Sequence, residues 1–228
     1  MDFIAASFST SLALILSLDP EVFGAVRTSI TVSLWSAFFA SLLGVPVGIA
    51  IGLADFPLKR LIITGSNTLM ALPTVVIGLV VYGFLSRQGP LGELGLLFTP
   101  TAMVIGQTIL AVPIIVNYTL STVAGANPAI IPTALTLGAG PFQCIAQLVR
   151  EMRFGIMAGI IAGFGRVIAE VGVAMMLGGN IRGYTRTMTT AIALETSKGE
   201  FAFGLALGII LMAVALIVNL LLNTLQQR

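Results

Sequence analysis

The chain has 228 residues, of which 57% are hydrophobic and only 9% are charged, and its mean hydropathy is +1.06. Soluble domains carry about 25% charged residues, so this composition excludes an ordinary water-soluble globular protein. The net charge of +2 comes without a run of lysine and arginine, which excludes a nucleic-acid-binding surface. The chain has no histidine and one cysteine, Cys144, so we expect no catalytic residue, no metal site, no bound cofactor and no internal disulfide.

The N-terminal residues predict a short helix that lies in the membrane interface. Their apolar positions recur at helical spacing: Ile4, Phe8, Leu12, Ile15 and Leu16. Asp2 stands where a secretory signal would carry positive charge, so we expect this segment to be retained as a structural anchor.

Five charge-poor segments predict membrane-spanning helices in a single all-α domain over residues 1–228. Three charge-free runs within the chain exceed the ~20 apolar residues that cross a bilayer core. Asp19 followed by Pro20 is typical of a helix start and opens the helix of the first span. We place the spans at about 28–54, 61–86, 101–123, 154–177 and 201–225. Five crossings put the two ends of the chain on opposite sides, but the connections on each side carry five lysines and arginines, so these counts do not orient it.

Several spans carry residues that a plain lipid-facing helix lacks. Pro46 lies in the first span, Asn67 and Pro73 in the second, and Pro113 and Asn117 in the third. Proline removes a backbone hydrogen bond and kinks a helix, which a membrane tolerates only where other helices or cavity water satisfy the freed carbonyl. We therefore assign Asn67 and Pro73 to a translocation path or its gate.

Residues 127–140 carry no charge, yet prolines and glycines divide them too often for one continuous span. The pattern predicts two short helices around the glycine turn at 138–140. The second helix has an apolar face that starts at Phe142 and ends in the charged cluster of Arg150, Glu151 and Arg153.

In the fourth span Gly155, Gly159 and Gly163 recur every four residues. Small residues at this spacing let two membrane helices approach to backbone contact. The stripe fits a homodimer interface and internal helix packing equally well.

Arg166 and Glu170 lie one helical turn apart in the same span. A charge at bilayer depth costs ~3 kcal/mol or more, so such a group faces a bundle interior or a watery path and finds a partner. One interpretation is a structural pair that neutralises itself. The other is a pair that faces the translocation path, where it meets an anion or holds a gate.

The loop after the fourth span combines Arg182 and Arg186 with the hydroxyls of Thr185, Thr189 and Thr190, and precedes a short predicted helix through Glu195. Arginine guanidinium groups, hydroxyl groups and the N–H groups at a helix N-terminus donate hydrogen bonds that an oxyanion accepts. We therefore assign these residues to the external mouth of the translocation path. A solvated loop or a docking surface explains them as well.

The chain contains no G-x-x-x-x-G-K-[ST] sequence, so we expect it not to bind ATP itself and not to be an enzyme. Any energy from ATP must then come from a partner subunit.

Three stretches resemble the cytoplasmic signature loop and the following span of type I ABC importer permeases: residues 136–139 (TLGA), 155–159 (GIMAG) and 166–170 (RVIAE). The similarity extends to 72–73 (LP), 98–103 (FTPTAM) and 185–196 (TRTMTTAIALET). The resemblance is to the tungstate and molybdate branch, and the last block is closer to the tungstate permeases.

The resemblance implies a homodimer in the cell membrane, with the N-terminus outside and Arg228 in the cytoplasm. It implies that 127–140 is a coupling helix seated on a cytoplasmic ATPase, with the contact made by Pro132, Ala134, Leu137, Gly138 and Ala139. An extracytoplasmic binding protein would dock on the opposite side. The family loop usually opens with Glu-Ala-Ala, where this chain has Pro132-Thr133-Ala134.

The resulting hypothesis is a permease subunit of an ATP-driven oxyanion importer, for tungstate first and molybdate next, that works by alternating access. The alternative from the residues alone is a stand-alone anion channel or secondary transporter, since broken helices and intramembrane charges occur there too.

Overall fold

The computed structural model describes residues 2–226, which form eleven α-helices and one short 3₁₀ turn at Gly92–Leu94 without a β-strand. The all-α class is therefore confirmed. The helices are α1 Asp2–Leu16, α2 Pro20–Leu53, α3 Lys59–Ala71, α4 Thr74–Leu85, α5 Pro100–Ala124, α6 Ile130–Thr136, α7 Pro141–Glu151, α8 Arg153–Ile168, α9 Gly172–Gly178, α10 Met188–Lys198 and α11 Phe201–Gln226.

Three helices, α2, α5 and α11, are each long and apolar enough to cross a membrane, which agrees with the first, third and fifth predicted spans. The side chain of Asp19 caps α2 by accepting hydrogen bonds from the backbone N–H groups of Glu21 at 2.9 Å and Val22 at 3.1 Å. The 34 residues of α2 are about 51 Å long at the usual rise, against a hydrocarbon core of ~30 Å. The first turns of α2 can therefore carry Glu21 clear of the lipid.

The segments predicted as the second and fourth spans, 61–86 and 154–177, each consist of two helices joined by a bend. The bend is 97° between α3 and α4 and 62° between α8 and α9. Pro73 causes the first, since proline has no N–H to donate and forces Leu72 before it into an extended conformation, ψ 138°. If each bent pair counts as one crossing, the residues 2–226 contain five spans, and otherwise three.

The second bend falls at residues 169–171, where no proline is present. Here side chains replace the helix's own hydrogen bonds. One carboxylate oxygen of Glu170 accepts from the N–H of Val173 at 3.2 Å, and the hydroxyl of Thr189 donates to the carbonyl oxygen of Glu170 at 2.8 Å. Glu170 therefore lies in the bend itself and not in the middle of a helix.

The centre of the bundle is the contact of α2 with α5, where glycines of α2 allow the backbones to approach. A Cβ atom added at Gly48 would lie 2.6 Å from the Cβ of Thr119. A polar pair crosses the same interface, with the hydroxyl of Ser36 donating to the side-chain oxygen of Gln107 at 3.2 Å.

The bundle has two ends, which we name after the short helix at each. At the α6 end, α6 and α7 pack against the last turns of α2 and α5 through Ile49, Val123 and Leu148. At the α10 end, Met188 and Leu207 pack with Val22 in the first turn of α2. Because Val22 and Ile49 stand about 40 Å apart along α2, the ends lie at opposite faces of the bundle.

The predicted N-terminal helix is confirmed as α1, which packs along α11. It turns Ser7 and Ser11 inward and leaves its large apolar side chains exposed: Phe3, Ile4, Phe8, Leu12 and Leu16. At 15 residues, about 22 Å, it is too short to cross a ~30 Å core. Its position in the membrane interface stays a prediction.

Candidate translocation path and coupling surface

Arg166 and Glu170 form an ion pair, with 2.7 Å between Nη1 of Arg166 and Oε2 of Glu170. The Glu170 side chain is 3% exposed, and its other oxygen is bound to the N–H of Val173. The Arg166 side chain is 41% exposed, and Glu170 is its hydrogen-bond partner among residues 2–226. A guanidinium has five donors, so Arg166 can hold Glu170 and still offer donors to an anion.

The two helix bends meet at this ion pair. A Cβ atom added at Gly172, the first residue of α9, would lie 3.2 Å from Oγ1 of Thr74 and 3.3 Å from Oε1 of Glu170. Thr74 is the first residue of α4 and directly follows Pro73. The structure thus brings together Arg166, Glu170 and Pro73, three of the four residues assigned to the path.

Asn67, the fourth, lies apart from them, exposed on α3 nearly two turns before the bend. Its neighbour Ser66 instead joins α3 to α5, because the side-chain amide of Asn117 donates to the hydroxyl of Ser66 at 3.0 Å. The same amide donates to the carbonyl of Pro113 at 2.9 Å. The contact of Ser66 with Asn117 is not among the predicted ones, although polar side chains in membrane spans often form hydrogen bonds across helices.

The threonines assigned to the external mouth are buried, and their hydroxyls have partners inside the fold. Each hydroxyl donates its proton to a backbone carbonyl: Thr185 to Gly178, Thr189 to Glu170 at 2.8 Å and Thr190 to Thr187 at 3.2 Å. These hydrogen bonds would have to break before the hydroxyls met an anion. The role of the three threonines at a mouth stays a prediction.

The two arginines of the same loop belong to an ion-pair network at the α10 end. Both bind the carboxylate of Glu21 in the first turn of α2, and Arg186 does so at 2.7 Å. Arg186 also lies 3.4 Å from Glu195, which binds Lys198 at 3.0 Å. The Arg186 side chain is 11% exposed and that of Arg182 is 71% exposed, so only Arg182 faces the surroundings freely.

The residues assigned to ATPase coupling lie on α6 and in the turn that follows it. A surface hollow of about 800 Å³ at this place is lined by Ala134, Leu137, Gly138 and Ala139, while Pro132 lies within the first turn of α6. Gly138 has φ +84° and forms the predicted glycine turn before α7. Leu137 is 82% exposed in a segment without charge, so its apolar side chain is available for contact at this surface.

The glycine stripe of α8 packs against α5 of the same chain. Added Cβ atoms would lie 2.4 Å from Thr122 at Gly155, 2.6 Å from Tyr118 at Gly159 and 3.1 Å from Ile115 at Gly163. Of the two interpretations of the stripe, the structure supports internal packing.

Comparison with known proteins agrees with this architecture. The family model described as "Binding-protein-dependent transport system inner membrane component" matches residues 44–228. The chain is 38% identical over 227 residues to the tungstate uptake system permease protein TupB of Peptoclostridium acidaminophilum, and the alignment covers 100% of both proteins. TupB of Campylobacter jejuni is 39% identical, with 100% of this chain and 95% of that protein covered.

Among solved structures, the inward-facing methionine ABC transporter MetNI has a chain that matches with a TM-score of 0.74 at 15% identity, covering 92% of this chain and 96% of that one. This likeness confirms the predicted fold of a type I ABC importer permease. Since the family model spans most of the chain and the TupB relatives span nearly all of it, the chain belongs to the family of binding-protein-dependent transport system inner membrane components.

Proposed function

We propose that this chain is the membrane-spanning subunit of an ATP-driven importer of tetrahedral oxyanions, with tungstate as the first substrate and molybdate the next. The assignment of the substrate rests on the similarity of the chain, over nearly its whole length, to two permeases named for tungstate uptake. Both anions are dianions of nearly equal size, so we place the selective site on a separate binding protein and not in this chain.

The energy source in this proposal is a separate ATPase that docks at the α6 end. The missing phosphate-binding loop supports this division of labour. The exposed Leu137 beside the hollow of α6 supports the docking place, since a short helix can transmit movement through its shape even where the opening Glu-Ala-Ala is replaced. The chain itself conducts its substrate and catalyses no reaction.

The same proposal has the α10 end outside, where the binding protein docks, and the α6 end in the cytoplasm. Two copies of the chain form a homodimer around a central path in the cell membrane, and alternating access opens that path to one side at a time. Arg166, held by Glu170 beside the bend at Pro73, contributes its free donors to this path.

Reconstitution tests the transport function. Proteoliposomes that contain the permease, its ATPase and tungstate-loaded binding protein should take up tungstate only when ATP is hydrolysed. Uptake by the permease alone, driven by an ion gradient or seen as a current, would establish the channel or secondary-transporter alternative instead.

Substitution of the ion pair tests the path. We expect Glu170→Gln and Arg166→Gln each to lower uptake about tenfold or more, because ~1.4 kcal/mol corresponds to a tenfold change in rate and a charge left unpaired at bilayer depth costs more than that. Asp55→Asn is the matched control, since this carboxylate is fully exposed in the turn after α2. Wild-type uptake in both variants of the pair would remove these residues from the path.

A further inference from the structure

The bend between α8 and α9 is held from outside by one hydroxyl group. Thr189, 19 residues further along the chain, donates to the carbonyl oxygen of Glu170 at 2.8 Å in a buried contact. The N–H of Glu170 bonds back to Val167 at 3.1 Å, and its side chain reaches forward to Val173 and back to Arg166. The position of the carboxylate in the ion pair therefore depends on where this carbonyl is held.

Thr189 is itself fixed in the first turn of α10. Its hydroxyl lies 3.1 Å from that of Thr187, which caps α10 by accepting from the N–H of Thr190 at 3.3 Å. The N–H of Met188, between them, donates to the hydroxyl of Ser29 in α2 at 2.7 Å. The hydroxyl that holds the bend is thus attached to α2, the longest helix of the bundle.

The turn is also tied to the ion-pair network at the α10 end. Arg186 directly precedes the capping Thr187 and binds both Glu21 of α2 and Glu195 of α10. The backbone at 186–187 therefore joins this ion-pair network to the buried hydrogen bonds of the first turn of α10, which reach the carbonyl of Glu170. The prediction that Thr189 binds an anion at the external mouth gives no reason for any of these contacts.

We propose that Thr189 is a positioning residue for the Arg166 and Glu170 pair: its hydroxyl fixes the α8–α9 bend so that the Glu170 carboxylate stays on Arg166. The effect of Thr189 on transport rests on the proposed function. Its effect on the position of Glu170 does not depend on that function. An anion in the path would meet Arg166 in the right place only while Thr189 holds the bend.

Thr189→Val tests the inference, because valine has nearly the shape of threonine and carries a methyl group in place of the hydroxyl. Thr189→Ser keeps the hydroxyl and should restore the wild-type behaviour. Thr119→Val is the matched control: Thr119 is also buried, but its hydroxyl has no hydrogen-bond partner among the side chains and backbone groups that the structure describes. Thermal unfolding in detergent checks that all three variants fold.

The first measurement is hydrogen exchange of the purified permease, which needs no transport. We expect amides of residues 169–175 to exchange about fivefold faster in Thr189→Val, the effect of losing one buried hydrogen bond, and at the wild-type rate in Thr189→Ser and Thr119→Val. Unchanged exchange in Thr189→Val would overturn the inference, whether or not the protein carries tungstate.

The second measurement is ATP-driven tungstate uptake in proteoliposomes. Thr189→Val should lower it about fivefold in the wild-type background and have no further effect in Glu170→Gln, because both changes act on the same pair. A loss that adds in full to that of Glu170→Gln would show that Thr189 acts elsewhere. If the wild type takes up no tungstate, the proposed function is contradicted. The hydrogen-exchange result then still tests whether Thr189 positions Glu170.

Discussion

Arg182 and Arg186 both bind the carboxylate of Glu21, but their surroundings differ. Arg186 is almost enclosed and lies between two carboxylates, those of Glu21 and Glu195. Arg182 reaches the same Glu21 from the outside, with most of its side chain in contact with the surroundings. An exposed ion pair contributes little because solvent screens it and the long side chain loses freedom. Loss of the enclosed Arg186 takes a charged partner from both carboxylates and leaves them only the more exposed Arg182 and Lys198.

The two arginines should therefore differ in their effect on stability. We expect Arg186→Gln to lower the free energy of unfolding by ~2 kcal/mol and Arg182→Gln by less than ~0.5 kcal/mol. Thermal unfolding in detergent measures both. Added salt should weaken the contribution of Arg182 further and leave that of Arg186 nearly unchanged. Equal losses in the two variants would mean that the enclosure of Arg186 has no energetic importance.

At the scale of helices, α8 shows how glycine decides which neighbour a membrane helix has. Gly159 faces α5 so closely that a Cβ atom would meet Tyr118, whereas a Cβ atom at Gly165 on the same helix would have no atom within 4 Å. Close approach of this kind is typical of small residues spaced by four in membrane helices.

Alanine at the two glycines should have opposite effects. Gly159→Ala forces α8 and α5 apart and should cost ~2 kcal/mol of stability, in the range of overpacked cores. Gly165→Ala should cost nothing and can gain up to ~1 kcal/mol, because alanine is the better helix former. Thermal unfolding of the two variants side by side tests this, and a loss at Gly165 equal to that at Gly159 would contradict it.

The two helix bends differ in how far the sequence predicts them. Pro73 predicts an interruption on its own, although its angle of 97° depends on how α3 and α4 pack. The bend at Glu170 has no proline to signal it, and the side chain that bonds its carbonyl group, Thr189, lies 19 residues away along the chain. Hydrophobic runs thus locate the spans, but they do not reveal a break that a distant side chain maintains.

The candidate site shows the same division between local and distant contacts. The spacing of Arg166 and Glu170 by four residues predicts their ion pair, because helix geometry alone brings them together. The partner of Arg186 is Glu21, 165 residues away, and no pattern along the chain connects the two. For that reason the loop at 182–190 resembled an open anion site, while its arginines and threonines are occupied by contacts within the fold.

At the scale of the whole molecule, the two ends of the bundle carry different surfaces. The α6 end has the exposed, charge-free turn at Leu137, and the α10 end has the ion-pair network. Since lysines and arginines are shared equally between the two sides, charge does not choose the orientation. Labelling of single cysteines can determine the orientation, once Cys144 on α7 is replaced by alanine.

We expect a membrane-impermeant maleimide to react with Tyr184→Cys in intact cells and with Leu137→Cys only in inverted vesicles, because these exposed positions lie at opposite ends. Leu58→Cys, exposed in the turn after α2, is the control for the α6 end and should react like Leu137→Cys. Bound ATPase should then protect Leu137→Cys more than Leu58→Cys, since only Leu137 lines the hollow beside α6. Reaction of Leu137→Cys in intact cells would reverse the orientation, and equal protection at both positions would place the ATPase contact elsewhere than on α6.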